Sequence, residues 1–148
     1  MNTNIWGPSS WRLIHSVAFT YPKRPSLIDK QRYKNFFESL AFTLPCVVCQ
    51  FHYQKELLQF DLDRGLRSRE HLSRWAFNLH NSVNKRLGKK VMTYEEVRKL
   101  YSDLIKSVDL ERKQNKEKQV KNLITKNKVL FGFGLFGVGC LLYRYRKN

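Results

Sequence analysis

The sequence predicts an all-α fold, and three observations carry that prediction. Residues 1–108 show no sustained apolar/polar alternation bounded by hairpin turns, so no sheet is expected. Trp11, Ile14, His15 and Ala18 recur at i, i+3, i+4 and i+7, the spacing of one helix face. Proline, glycine and capping residues then punctuate the chain at helix-length intervals.

Taken in order, the first helix follows Gly7-Pro8 and runs from Ser9 to about Thr20, where Pro22 and Pro25 end it. A second spans Leu27 to Phe42, with Ser26 as its cap. Pro45 stops that pattern, and a third helix opens at Cys46. A fourth runs from Ser68 to Arg86 and stops at Gly88. Thr93 and Glu96 form a capping-box pattern that opens a fifth near Tyr94. Residues 1–108 thus read as one helical domain, and 109–128 as a basic, polar tether. Residues 129–143 hold no charge and four glycines, with Lys126, Lys128, Arg144, Arg146 and Lys147 around them. A spanning helix needs about 20 apolar residues, but flanking Lys and Arg can snorkel. The expectation is a C-terminal hydrophobic helix that anchors the chain in a membrane, with Cys140 as an apolar filler.

Composition narrows the function. The chain has 148 residues, 28 Lys+Arg against 12 Asp+Glu, and a formal charge of +16. With 42% apolar residues it is too hydrophobic to be wholly disordered. Three cysteines leave one unpaired within the chain, so a disulfide-framework fold is excluded. The positive excess points to an anionic partner: nucleic acid, a membrane surface or an anionic cofactor.

Cys46-Val47-Val48-Cys49 is the only CxxC. A helix N-terminus favours the thiolate, lowering a thiol pKa below its free value of about 8.5. Gln50, where a c-type haem needs His, excludes haem. Zinc needs four ligands, and no second cysteine pair accompanies His52 or His71; no metal is expected. A thioredoxin-like site would follow a strand. Two further constellations are Trp6-Gly7-Pro8-Ser9-Ser10-Trp11-Arg12-Leu13-Ile14-His15, followed by Tyr21-Pro22, and His80-Asn81-Ser82-Val83-Asn84-Lys85-Arg86-Leu87-Gly88-Lys89. They set rings, imidazoles, amides and cations on helices, which suits a large, flat, phosphate-bearing ligand.

With these motifs in their order, WGPxxWxxxH with YP, PCxxC and HNxVNxxLGK, the sequence resembles the Erv/ALR family of FAD-linked sulfhydryl oxidases over roughly residues 5–105. The resemblance implies a four-helix bundle plus a short fifth helix, with FAD at the bundle mouth. By motif, it implies that Gly7, Trp11, His15 and Tyr21 contact the flavin or its adenine. It likewise gives His80, Asn81, Val83, Asn84, Arg86 and Lys89 to adenine, ribose and phosphates. His52 is expected near the disulfide, Cys49 against the flavin ring, and Cys46 exposed to incoming thiols. The implied activity oxidises a protein dithiol, a small thioredoxin-like or CxxC shuttle, and passes the electrons through FAD to dioxygen, giving hydrogen peroxide. A homodimer is implied and nucleic acid is not.

Two departures stand out. Many members brace the HNxVN helix against the last helix with a disulfide; Phe77 and Tyr94 occupy those positions here. The family's Trp in the last helix is Tyr101. Neither tail carries a shuttle CxC or CxxC, and small viral members share that economy, so a large-DNA-virus origin is expected. Insertion of the tail after translation would leave the oxidase domain in the host cytosol and, for a viral protein, in the virion. The rival reading is a non-enzymatic, membrane-tethered basic protein that binds nucleic acid or anionic lipid.

Overall fold

Among the described residues the chain forms seven helices and no strand: α1 Thr3–Phe19, α2 Leu27–Thr43, α3 Val47–Gln59, α4 Leu62–Gly65, α5 Arg69–Arg86, α6 Tyr94–Leu100 and α7 Ser102–Tyr145. This computed structural model describes the backbone of residues 3–145 and the side chains of residues 3–125. The all-α reading holds. The side chains of the 129–143 run and Cys140 lie outside the described residues, and among those described no helix is long and apolar enough to cross a membrane. The chain divides into two units, residues 1–107 and 108–148.

The helix ends follow local chemistry. Ser26 accepts from the Asp29 N–H while Asp29 Oδ2 accepts from the Ser26 N–H at 2.9 Å, a full capping box on α2. Thr93 and Glu96 repeat it on α6, as the sequence predicts. Ser68 caps α5, and Gly88, at φ +63°, ends the turn beyond it in a conformation that suits glycine.

The first helix is a correction. It begins at Thr3, six residues before the predicted start, and carries Pro8 inside. Proline lacks one N–H, but so near the N-terminus it removes a single ladder bond and leaves the rest of the helix intact. The consequence is functional: Gly7, Trp11 and His15, spaced by four, fall on one line of α1. The sequence reading also lacks α4, one turn between α3 and α5. Its Gly65 is there for space, since a Cβ would lie 3.1 Å from Trp75 Cβ.

One core joins α1 through α5, built on Ile14, Ala18, Phe37, Tyr53, Leu72, Trp75 and Leu79. Each large apolar side chain buried there contributes about 1.5–3 kcal/mol. Its polar tips are satisfied: Tyr53 Oη donates to the Phe37 carbonyl at 2.9 Å, and Trp75 Nε1 to that of Phe60 at 3.0 Å. Gln50 Nε2 donates to the Leu44 and Phe42 carbonyls at 2.8 and 3.1 Å, tying the start of α3 to the end of α2. That tie fixes where the CxxC sits. Within the first unit a second cluster, Phe19, Tyr94 and Val97 with Phe77, Met92, Tyr101 and Ile105, packs α6 and the first turn of α7 against α1 and α5.

Candidate active site

Cys46 is the N-cap of α3 and is disulfide-bonded to Cys49 in its first turn, with Cα atoms 5.1 Å apart. The Cys49 N–H donates to Cys46 Sγ at 3.2 Å. Both cysteines line a cavity of about 700 Å³ between α1, α3, α5 and the chain beyond α5. A sulfur at a helix N-cap is well placed to carry negative charge, because unpaired N–H groups converge on it.

Opposite the disulfide, α1 contributes Gly7, Trp11, Arg12 and His15. From α5 come His80, Val83, Asn84 and Leu87, at i, i+3, i+4 and i+7. Arg86 and Lys89 add cations, and Met92, Val97, Leu100 and Tyr101 close the wall. His52 and Tyr53, one turn after Cys49, line it from α3.

The imidazoles form a unit. His15 Nε2 and His80 Nδ1 share a hydrogen bond of 2.9 Å, and Trp11 stacks on His80 with centroids 4.0 Å apart at 9°. Burial, and then the neighbouring His80, hold the His15 pKa down at about 4. Burial and the Lys89 ammonium do the same to His80, also to about 4. Both rings are therefore neutral at neutral pH and share one proton along their bond. Two polar atoms of this wall, Trp6 Nε1 and His15 Nδ1, are buried without a partner. Unpaired buried groups are costly unless a ligand answers them.

The structure thus brings together Cys46, Cys49, Gly7, Trp11, His15, His80, Val83, Asn84, Arg86 and Lys89. It puts two named residues elsewhere. Tyr21 is fully buried in the core, its hydroxyl donating to the Leu66 carbonyl at 3.1 Å. Its own carbonyl accepts from Arg69 Nε. Asn81 points off the cavity face because adjacent helix positions differ by about 100°. Its Nδ2 donates to the Met92 carbonyl at 2.9 Å and its Oδ1 accepts from the Met92 N–H at 3.4 Å. Asn81 therefore pins the 88–92 segment that carries Lys89. Trp6 and Arg12 also line the wall, beyond the contacts the resemblance implies; Trp6 joins it because α1 extends back to Thr3, and Arg12, within the predicted helix, lies three positions from His15.

An all-helical fold with a disulfide at a helix N-cap, opening on a cavity of rings, imidazoles and cations, defines a class of dithiol–disulfide redox proteins. The chain belongs to the Erv1/Alr family, whose sequence profile matches residues 8–102. It is 42% identical over 97 residues to a protein of Acanthamoeba polyphaga mimivirus described as a probable FAD-linked sulfhydryl oxidase, covering 65% of this chain and 68% of that protein. It is 34% identical over 100 residues to the FAD-linked sulfhydryl oxidase of African swine fever virus (isolate Pig/Kenya/KEN-50/1950), covering 68% of this chain and 82% of that one. The crystal structure of the yeast Erv1 core superposes with a TM-score of 0.65 at 33% identity, covering 70% of this chain and 86% of that one.

Proposed function

We propose that this chain is an FAD-dependent sulfhydryl oxidase that forms disulfide bonds in protein dithiols. The observation that carries the reading is the Cys46–Cys49 disulfide in the wall of a ring- and cation-lined cavity. The residues present fit FAD. The cavity is large, it offers flat rings for stacking and three cations for phosphates, and its two unpaired ring nitrogens await a ligand. Gly7, Trp11, His15, His80, Val83, Asn84, Arg86 and Lys89 would hold it. When bound, FAD supplies a two-electron acceptor for the reduced cysteine pair and delivers the electrons to dioxygen as hydrogen peroxide.

The chain's own residues account for the thiol chemistry. A substrate thiolate attacks Cys46 Sγ and Cys49 leaves as a thiolate. A second substrate thiolate attacks the substrate sulfur, and Cys46 leaves. The converging N–H groups of the α3 terminus favour Cys46 as that leaving group, since a lower thiol pKa speeds departure. The neutral His15–His80 pair adds no charge of its own to the wall and leaves one donor and one acceptor for a planar ligand.

The experiment is oxygen consumption with dithiothreitol on protein purified with its colour. Flavin-loaded protein that consumes oxygen supports the oxidase; colourless, inactive protein supports the rival basic scaffold. A His80→Ala/Asn84→Ala double substitution should purify with little flavin.

The finer assignments are proposals of the same kind. Resemblance to viral proteins supports a viral origin, and so a host-cytoplasmic site of action. The uncharged 129–143 run between basic flanks supports a C-terminal membrane anchor behind a basic tether. Resistance of the full chain to alkaline carbonate extraction tests the anchor, and sedimentation equilibrium tests a homodimer.

A further inference from the structure

Val47 and Val48, the two residues between the cysteines, are 79% and 64% exposed, and Phe51 is 53% exposed. Phe51 lies one turn beyond Val47 on the same face of α3. Phe42, 73% exposed, lies near the end of α2, which the Gln50 side chain ties to α3 through the Phe42 carbonyl. Val47 and Phe51 thus form an exposed apolar strip on α3 beside Cys46 and outside the cavity, whereas Val48 lines the cavity. The charge seated on this strip is a cation. No Asp or Glu occurs from Ser39 to Lys55, and Lys55 Nζ stands 4.4 Å from the centre of the Phe51 ring. The whole chain carries +16.

From this we infer that Val47, Phe51 and Lys55 determine specificity, selecting protein dithiols whose attacking cysteine is flanked by an apolar residue and then an acidic one. The inference rests on the oxidase reading above and names its substrate class. A thiolate must come within bonding distance of Cys46 Sγ, so the residues beside it in the substrate must settle on Val47 and Phe51. Burying that surface favours an apolar neighbour, and the Lys55 ammonium favours an acid at the edge. The chemistry balances: the substrate gives up two electrons and two protons as its disulfide forms. The Cys46–Cys49 bond takes up the electrons as it breaks, and the protons pass to solvent and the released thiolates.

The test compares synthetic dithiol peptides identical except at the residue after the first cysteine, Leu or Ser, and at the next, Asp or Lys. Oxygen consumption is read on the full flavin-loaded chain, each rate divided by that with dithiothreitol. The Leu-Asp peptide should exceed the Ser-Lys peptide at least ten-fold in kcat/KM, within the range an apolar contact can discriminate. A Val47→Ser/Phe51→Ser variant should flatten the Leu preference, and Lys55→Glu should reverse the Asp preference. Equal rates for all peptides in the wild type, or preferences that survive these substitutions, would overturn the proposal. Failure to oxidise dithiothreitol at all would instead sink the oxidase reading beneath it.

Discussion

Phe77 of α5 and Tyr94 of α6 meet edge to face, with ring centroids 5.5 Å apart at 74°. These are the positions where the family resemblance expects a bracing disulfide. Tyr94 is further fixed by its hydroxyl, 2.6 Å from Ser73 Oγ and donating to Glu70 Oε2 at 3.2 Å, with Arg74 over its ring. A noncovalent clasp thus joins the two helices without a reducible bond.

The clasp predicts a fold indifferent to reductant. Phe77→Ala should cost about 1–3 kcal/mol, combining lost burial with the edge-to-face term. Tyr94→Phe should cost about 0.5–1.5 kcal/mol, the net of a lost hydrogen bond, because Ser73 Oγ keeps the Glu70 carbonyl and the exposed Glu70 carboxylate keeps Arg74. Urea unfolding, with and without dithiothreitol, checks both. A wild-type midpoint that collapses on reduction would mean another bridge does this work.

The His15–His80 pair predicts an acid limit. In the folded state both imidazoles titrate at about 4, below the unfolded value of 6.5. Between those values the unfolded chain binds more protons, so stability falls as pH falls from about 6.5 towards 4. Above 6.5 the contribution is complete. Thermal melts across this window should show the decline, and His80→Gln should make it shallower. An unchanged slope in that variant would remove the pair as the cause.

Asn81 predicts a loss of cofactor without a loss of contact to it. Because it clamps Met92 on both backbone groups, Asn81→Ala should free the segment bearing Lys89. Flavin retention should fall by about ten-fold or less, with far-ultraviolet dichroism unchanged. The matching Lys89→Ala variant should lose a similar amount, and the double variant little more, since the two act on one contact. Additive losses would give Asn81 an independent role.

The first unit, residues 1–107, holds the whole cavity. A chain ending at Ser107 should keep its flavin and oxidise dithiothreitol at the full-length rate. A large loss, measured as oxygen uptake per flavin, would assign the 108–148 unit a part in electron entry.

Much of this arrangement was legible in the sequence because it is local. Caps at Ser26, Ser68 and Thr93 act within one turn, so their residues name the helix starts. The CxxC sits at the start of α3 because Pro45 and Cys46 interrupt the helical pattern together. What escaped depended on tertiary context. Pro8 reads as a breaker, yet α1 absorbs it and so brings Trp6 and Gly7 onto the cavity wall. Asn81 and Asn84 look equivalent as motif letters, but only helix phase separates the clamp from the wall residue. Tyr21 carries a motif position into the core, where its hydroxyl serves Leu66.

The proposed oxidase takes electrons in at Cys46 and passes them on through Cys49. The most direct measurement is anaerobic mixing of flavin-loaded protein with dithiothreitol, following the bound flavin's absorbance in the wild type, Cys46→Ser and Cys49→Ser. Rapid bleaching is expected in the wild type and at least hundred-fold slower bleaching in both variants, with flavin still bound. Bleaching at the wild-type rate in Cys49→Ser would contradict this route.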